Sequence, residues 1–297
     1  MKQPSFLQRC QYALEYCGAR ALEGLIRLVG IRRGAVAGAF FWRHLAPFAR
    51  QHRQAHANLK AAYPDMPEDE RVRIVSAMWD NLGATFAEAI VLDQLAGPEA
   101  DIQVNGLDML QAQRQTGKGL VMVSLHAGNF EALGVPLAQN GLAVAGMYQK
   151  IRNPLVEAHV LTARERFYTA GLFAKGAASL RQVMVHVRHG GIVAILADQR
   201  TMAGISVPFF GRPAPSNPFP AMLARRLDVP IIAARCRRLG PARFAIDLEA
   251  VDVARDGSVD ADVEETTARI QARFEAWIRE CPEQWMWGHR RWSPDKA

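Results

Sequence analysis

The chain has 297 residues, enough for one large domain with a substantial hydrophobic core or for two small ones. Hydrophobic residues make up 49% and charged residues 22%, a composition that excludes an intrinsically disordered protein. The net charge of +7 indicates an acidic partner, and nucleic acid, an anionic bilayer and a phosphorylated substrate all satisfy that requirement.

The first hundred residues predict helices. Residues 6–50 combine large apolar side chains with scattered arginines, but no apolar run reaches the roughly 18 residues of a spanning helix. Such a segment suits helices that lie in a bilayer interface, and an ordinary helical pair packed on the core fits the same pattern. A further helix is predicted from Pro67 to about Leu95, because proline and acidic residues open it and Gly97-Pro98 ends it. We expect residues 1–100 to form a helical, membrane-associated region.

From residue 101 to 297 short β-branched runs alternate with helical patterns. This alternation predicts an α/β fold with a mixed, mostly parallel sheet flanked by helices, as one continuous domain. Functional sites in such sheets form at the carboxyl ends of strands. The predicted strands are 119–125, 142–147, 191–197, 229–234 and 244–251, and the predicted helices are 129–139, 153–169, 178–188, 218–227 and 263–280.

His126 and Glu131 are the first candidate site residues. His126 follows the apolar run that ends the first predicted strand, Gly128 allows a tight bend, and Asn129 is a plausible helix N-cap. Histidine can act as a general base near neutral pH, and an adjacent carboxylate can hold its ring in one tautomer. We expect Glu131 to accept a hydrogen bond from the ring. The alternative is a structural histidine beside a glutamate that complements the helix dipole.

Four further segments follow in the chain. Arg164 lies near the end of a helix that begins after Asn153-Pro154, where a basic residue also complements the helix dipole. Asp198 ends a predicted strand, a position where aspartate also caps turns. Residues 207–211 read V-P-F-F-G and begin a Pro-rich loop. Residues 282–292 read P-E-Q-W-M-W-G-H-R-R-W, and we expect this segment to pack on the sheet.

Together these residues resemble the lipid A biosynthesis acyltransferases, the late lauroyl and myristoyl transferases of Gram-negative bacteria. The H-x-x-x-x-E box alone is shared with a wider set of glycerolipid acyltransferases, and the A-D-Q, V-P-F-F-G and Trp/Arg-rich segments make the match specific. The resemblance implies a glycerolipid-acyltransferase-like fold with His126 and Glu131 as the catalytic pair, and it implicates Arg164 and Asp198. The chain departs from the family at Tyr148-Gln149-Lys150, where members often have Y-R-P, and at Ser216–Pro220.

The resemblance implies transfer of a fatty acyl group from an acyl-carrier-protein thioester to a hydroxyl of an anionic lipid A precursor. His126 would take the hydroxyl proton, and Arg164 or backbone N–H groups near Gly128 would stabilise the oxyanion. Asp198 and Asn129 are expected among the substrate-binding residues. No Ser or Cys is placed for an acyl-enzyme, and neither a metal ion nor a cofactor is expected.

The composition fits these substrates. Acyl carrier protein and a phosphorylated lipid are both acidic, and the lipid would place the enzyme on the cytoplasmic face of the inner membrane. No two cysteines form a C-x-x-C pair, and the chain has four of them: Cys10, Cys17, Cys236 and Cys281. We expect these thiols to be reduced, in a protein that faces the cytosol.

Other functions remain open on the sequence. The same chemistry would serve another glycolipid acceptor, such as a phosphatidylinositol mannoside. A membrane-bound interaction protein without catalysis is a third possibility, although the intact His126/Glu131 pair counts against it. Nucleic-acid binding is not expected, because the basic residues are dispersed and no recognised motif is present.

Overall fold

A seven-stranded sheet organises the molecule in a computed structural model that describes residues 5–292. The strand order is β1-β9-β8-β2-β5-β3-β4, and all neighbours are parallel except β8 and β9. The predicted mixed, mostly parallel sheet is therefore confirmed. Its strands are β1 (Asp101–Asn105), β2 (Leu120–Ser124), β3 (Val144–Tyr148), β4 (Leu172–Ala174), β5 (Ile192–Leu196), β8 (Ile231–Gly240) and β9 (Arg243–Val251).

Helices cover both faces of this sheet. Within the described residues, four α-helices precede it in the chain and six more belong to the α/β part. The helices before the sheet are α1 (Phe6–Val29), α2 (Ile31–Leu45), α3 (Arg50–Ala62) and α4 (Glu68–Ile90). The later ones are α5 (Leu107–Gln115), α6 (Gly134–Gln139), α7 (Pro154–Glu165), α8 (Ala177–Arg188), α9 (Phe219–Leu227) and α10 (Val259–Glu280).

The central strand β2 is buried along its whole length between β5 and β8. Because successive side chains point to opposite faces, Val121 and Val123 join the hydrophobic core shared with α8, α9 and α10. Leu120 and Met122 join the core on the other face, with α5 and α6. This burial explains why β2 is an uninterrupted apolar run, and it fixes the strand end from which the site begins.

The N-terminal helices pack closely against each other on one side and leave apolar residues exposed on the other. A Cβ atom added to Gly38 in α2 would lie 2.5 Å from the carbonyl oxygen of Gly83 in α4, so these two helices need glycine where they cross. Among residues 5–292, no helix combines the length and apolarity that crossing a bilayer would need. Membrane association of this region stays a prediction.

A β-hairpin replaces the Pro-rich loop expected after residue 207. Strands β6 (Ile205–Phe209) and β7 (Arg212–Ser216) are antiparallel. Phe210 and Gly211 both have positive φ, 53° and 69°, as in the two-residue turns that connect twisted strands. Proline is rare inside a sheet because it lacks the N–H that pairs with the next strand. In an isolated two-stranded pair each strand has an unpaired edge, where that N–H is not needed. The sequence pattern did not predict β1, β4 and α5 either, because these elements are short.

Candidate active site

His126 and Asp198 meet beyond the carboxyl ends of two neighbouring parallel strands. Ser124 of β2 is level with Leu196 of β5, and each candidate lies two residues further on. The Nδ1 atom of His126 lies 2.7 Å from Oδ1 of Asp198, and the backbone N–H of His126 donates to Oδ2 at 2.9 Å. The predicted strand-end positions of both residues are confirmed, and the sheet makes them partners.

The Asp198 carboxylate is a buried anion with three donors. Only 1% of the residue is exposed, and the indole N–H of Trp285 donates to Oδ2 at 2.8 Å. Burial raises the pKa of the Asp198 carboxyl, but the neighbouring His126 and the hydrogen bonds outweigh it and hold the pKa at about 2. An ionised acceptor at Nδ1 places the ring proton on that nitrogen and leaves Nε2 as the acceptor nitrogen, which lies 3.3 Å from Nε2 of Gln199.

The expectation that Glu131 accepts a hydrogen bond from His126 is wrong. The Glu131 carboxylate accepts two hydrogen bonds from Arg164, from Nη2 and, at 3.0 Å, from Nε. Burial acts to lower the pKa of the Arg164 guanidinium, but the charge and hydrogen bonds of Glu131 outweigh it. The pKa is raised above its ordinary value, and this arginine stays cationic. Glu131 lies in the 3₁₀ turn Phe130–Leu133 and faces the end of α7, while the parallel register brings Asp198 beside the ring.

Asn129 and Gly128 shape the turn after His126 instead of lining a substrate site. The side-chain oxygen of Asn129 accepts from the N–H groups of Glu131 and Ala132, so the predicted N-cap is confirmed. Asn129 is completely buried, and the Gly128 N–H donates to the carbonyl of Gln284 at 3.0 Å. Asn129 and Gly128 therefore do not have the expected roles in binding the substrate or the oxyanion. Asp198 does not have that role either, because its buried carboxylate is bonded to Nδ1 of His126.

A buried polar cluster on α4 holds this turn and was not found by sequence reasoning. The carboxylate of Glu88 is fully buried and accepts from Nδ2 of Asn129 at 2.7 Å and from Nη1 and Nη2 of Arg238 at 2.6 and 2.8 Å. Thr85 donates its hydroxyl to the Gly128 carbonyl at 2.8 Å. Thr85 and Glu88 lie three residues apart on the apolar face of a helix, a polar pair that could have signalled this role.

Only glycine fits at position 128. Its φ is +57°, and a Cβ atom there would lie 1.8 Å from the carbonyl oxygen of Cys236 in β8. Asn81 of α4 donates to the Gly128 carbonyl at 3.1 Å, beside Thr85. The turn that carries His126 is thus tied to both α4 and β8, and a rigid support of this kind keeps a catalytic side chain in place.

A cavity of about 330 Å³ opens beside Nε2 of His126. Gly146 and Ala194 are level in neighbouring strands and line it, and Tyr168 and Leu172 pack closely over Gly146. Apolar side chains such as Leu133 and Leu172 line the cavity, and polar groups share it with them: His126, Glu131, Arg164, Lys175 and Gln199. Within residues 5–292 no cluster of three or more His, Cys, Asp and Glu side chains could hold a metal ion. The cavity thus brings an imidazole, a guanidinium and apolar side chains together, as ligand-binding cavities commonly do.

The C-terminal segment packs on the core, as expected. Trp285, Trp287 and Trp292 are buried, and Ala127 forms an isolated antiparallel bridge with Trp285. Arg291 is completely buried over the Phe209 ring. This packing brings Trp285 to Asp198, and Met286 of the same segment lines the cavity, so the Trp-rich ending both supports the site and forms part of its wall.

The fold and the site define an α/β protein with a hydrogen-bonded His–Asp pair beside a largely apolar cavity. The family model of the bacterial lipid A biosynthesis acyltransferases matches residues 2–293, and the chain belongs to this family. The protein is an acyltransferase of the lipid A and glycolipid class.

Three relatives illustrate the range of this similarity. A lipid A biosynthesis acyltransferase from Haemophilus influenzae is 22% identical over 245 residues, 80% of this chain and 74% of the relative. A lipid A biosynthesis lauroyltransferase from Escherichia coli is 23% identical over 252 residues, 82% of this chain and 79% of the relative. A phosphatidylinositol mannoside acyltransferase from Mycobacterium tuberculosis is 23% identical over 292 residues, 96% of this chain and 88% of the relative.

Proposed function

We propose that this enzyme transfers a fatty acyl group from an acyl-carrier-protein thioester to a hydroxyl of a lipid A precursor. The transfer would be a late, secondary acylation in lipopolysaccharide biosynthesis. The observation that carries the proposal is the His126–Asp198 pair beside an apolar cavity, in a chain of the lipid A acyltransferase family.

His126 is the general base of the proposed reaction. The acceptor hydroxyl gives its proton to Nε2 as its oxygen attacks the thioester carbonyl, and the buried Asp198 charge stabilises the imidazolium that forms. The tetrahedral intermediate then expels the thiolate, which takes the proton from Nε2. General-base assistance of this kind accelerates a reaction by about 10²–10⁴-fold.

Arg164 and Glu131 have a different place in this mechanism. Arg164 is a cation in the same cavity as the base, where it can bind an anionic group of either substrate. Glu131 holds the guanidinium from one side through two hydrogen bonds. We therefore assign Glu131 to positioning Arg164, and the catalytic contribution expected of Glu131 would act through that arginine.

The apolar part of the cavity supports binding of an acyl chain. Leu133, Tyr168 and Leu172 line it, and small residues lie at Gly146 and Ala194. Burying each methylene of an acyl chain contributes about 0.8 kcal/mol. A chain held there would bring its carbonyl carbon toward the polar residues at the strand ends.

The surroundings of the cavity support acidic partners and a membrane surface. Lys150, Arg152 and Lys175 are exposed near the cavity, and they suit an acidic carrier protein. α1 and α2 expose apolar side chains such as Leu28 and Phe41, which suit the surface of an anionic inner membrane on its cytoplasmic side.

The reaction is tested with purified protein, acylated carrier protein and a lipid A precursor, with the product followed by mass spectrometry. We expect one added acyl chain with wild-type protein and none above background with His126→Ala. The exposed His189, in the turn that ends α8, offers a matched control, and His189→Ala should retain activity. Robust turnover by the His126 variant would refute the mechanism.

The acceptor has a second candidate, because the Mycobacterium relative covers 96% of the chain. A phosphatidylinositol mannoside offered beside the lipid A precursor distinguishes the two by which one gains mass. Absence of transfer to both, together with binding to vesicles, would support a non-catalytic interaction protein instead.

A further inference from the structure

Four backbone N–H groups around His126 have partners already. His126 donates to Asp198, Ala127 to the carbonyl of Leu125 at 2.8 Å, and Gly128 to the carbonyl of Gln284 at 3.0 Å. The N–H of Glu131 donates to Asn129. A tetrahedral intermediate needs donors aimed at its oxyanion, and these four groups are not available for that purpose.

Two side chains in the cavity are also engaged. Arg164 uses Nε and Nη2 for the Glu131 carboxylate, which opposes its charge. The Tyr148 hydroxyl donates to Glu157 at 3.3 Å. A residue directly beside the base is therefore a stronger candidate for donating to the reacting carbonyl than these two side chains.

Gln199 lies closest to this description, because its side-chain amide is next to the His126 ring in the cavity. It follows Asp198 directly in the chain and lines the cavity, and its Nε2 atom lies 3.3 Å from Nε2 of His126. Because Nδ1 of His126 carries the proton given to Asp198, the Gln199 amide is the donor in this contact. It occupies the lone pair that an acceptor hydroxyl would use.

The segment that carries Gln199 is held firmly. The Ala197 N–H donates to the carbonyl of Ser124 at 2.9 Å, and the Ala197 carbonyl accepts from Nε2 of Gln271 at 3.0 Å. Asp198 is fixed by His126 and Trp285. The backbone that carries the Gln199 amide is therefore fixed beside the base, which limits how far the amide can move from a carbonyl that reacts there.

We propose that Gln199 is a catalytic residue whose amide donates a hydrogen bond to the reacting carbonyl oxygen. The acceptor hydroxyl displaces the amide from Nε2 of His126, and its oxygen lies about 3–3.5 Å from the carbonyl carbon in a reactive pose. The carbonyl oxygen is then within reach of the released amide. As the new C–O bond forms, the O–H proton moves to Nε2; the C–S bond then breaks and the thiolate takes that proton. The inference rests on the acyl transfer proposed above.

The test compares steady-state kinetics of wild type, Gln199→Ala and Gln199→Glu in the acyl-transfer assay. Removing one oxyanion donor lowers kcat by about 10²–10³-fold, and we expect that loss in both variants, with KM for both substrates nearly unchanged. The Gln199→Glu variant keeps the size of the side chain but places a negative charge beside His126, so the acidic limb of its pH–rate profile should move to higher pH. Gln139→Ala, at an exposed glutamine in α6, is the matched control.

The outcomes separate this inference from the proposed function. If wild type transfers the acyl group and both Gln199 variants keep a normal kcat, the inference is overturned and the proposed function stands. A rise in KM alone would also overturn it, because it would assign Gln199 to uniform substrate binding. If wild type transfers to neither acceptor, the proposed function fails and this inference fails with it.

Discussion

The turn after β2 and the N-terminal helix α1 are both held by buried, paired charges, but they differ in the surface that they present. In the turn, the polar groups are buried and each has a partner, as Glu88 has in Asn129 and Arg238. In α1, Glu23 is buried against Arg27 and His159 on the inner face, while Leu28 is 83% exposed on the outer face. The site is thus held by internal hydrogen bonds, whereas the helix presents an apolar surface that requires an external partner.

The largest expected effect is the loss of the Asp198 charge. Asp198→Asn keeps the size of the side chain but removes the anion that fixes the His126 tautomer. The equivalent substitution in a serine-protease triad lowers kcat by about 10⁴-fold, and we expect a loss of similar order here. Kinetics with the exposed Asp228→Asn variant provide the control. A loss of less than tenfold would remove Asp198 from the mechanism.

Loss of the α4 support should affect both stability and rate. Glu88→Ala leaves the Arg238 side chain, which is 12% exposed, without its carboxylate, although Asn81 and Thr85 remain as acceptors. Removing one partner of a buried ion pair destabilises a protein by about 3–5 kcal/mol, and we expect a loss near the lower end of that range. Denaturant unfolding measures that cost, and kcat at a temperature where the variant is folded measures the looser turn. Glu264→Ala, at an exposed glutamate in α10, is a control. Unchanged stability would contradict the role given to this cluster.

The free energy of unfolding should decrease at low pH because the Asp198 carboxylate becomes protonated. Because its folded pKa is about 2 and its ordinary value is 3.8, the carboxylate stabilises the fold above about pH 4. That contribution is lost as the pH falls from about 4 to about 2. Unfolding free energies of wild type should therefore converge toward those of Asp198→Asn over this interval. Parallel curves would contradict the assigned pKa.

The smallest expected effect concerns the apolar outer face of α1. Leu25 and Leu28 are exposed there, and replacing both with serine removes two side chains that would enter a bilayer interface. We expect roughly tenfold weaker binding to anionic vesicles and unchanged turnover of a detergent-dispersed substrate. Val185→Ser, at an exposed valine in α8, is the control. Equal vesicle binding by the wild type, the double serine variant and Val185→Ser would contradict binding of this face of α1 to a membrane.

Much of the architecture could be predicted from the sequence. Apolar runs locate β2 and β5, and the residues after them are the candidate base and acid, His126 and Asp198. The partner of His126 could not be predicted, because one sequence does not say that β2 and β5 are neighbours. Local spacing favoured Glu131, whereas strand register selects Asp198. The helix-face polar pair Thr85 and Glu88 was overlooked, because its partners lie in distant segments.

His126 is hydrogen-bonded to Asp198, and Glu131 is hydrogen-bonded to Arg164. The ring proton on Nδ1 of His126 reports on this directly, since a proton in a hydrogen bond with a buried carboxylate gives a resolved downfield NMR signal. We predict that Asp198→Asn abolishes or strongly shifts the signal and that Glu131→Gln leaves it in place. A signal that survives Asp198→Asn and is lost in Glu131→Gln would contradict the account.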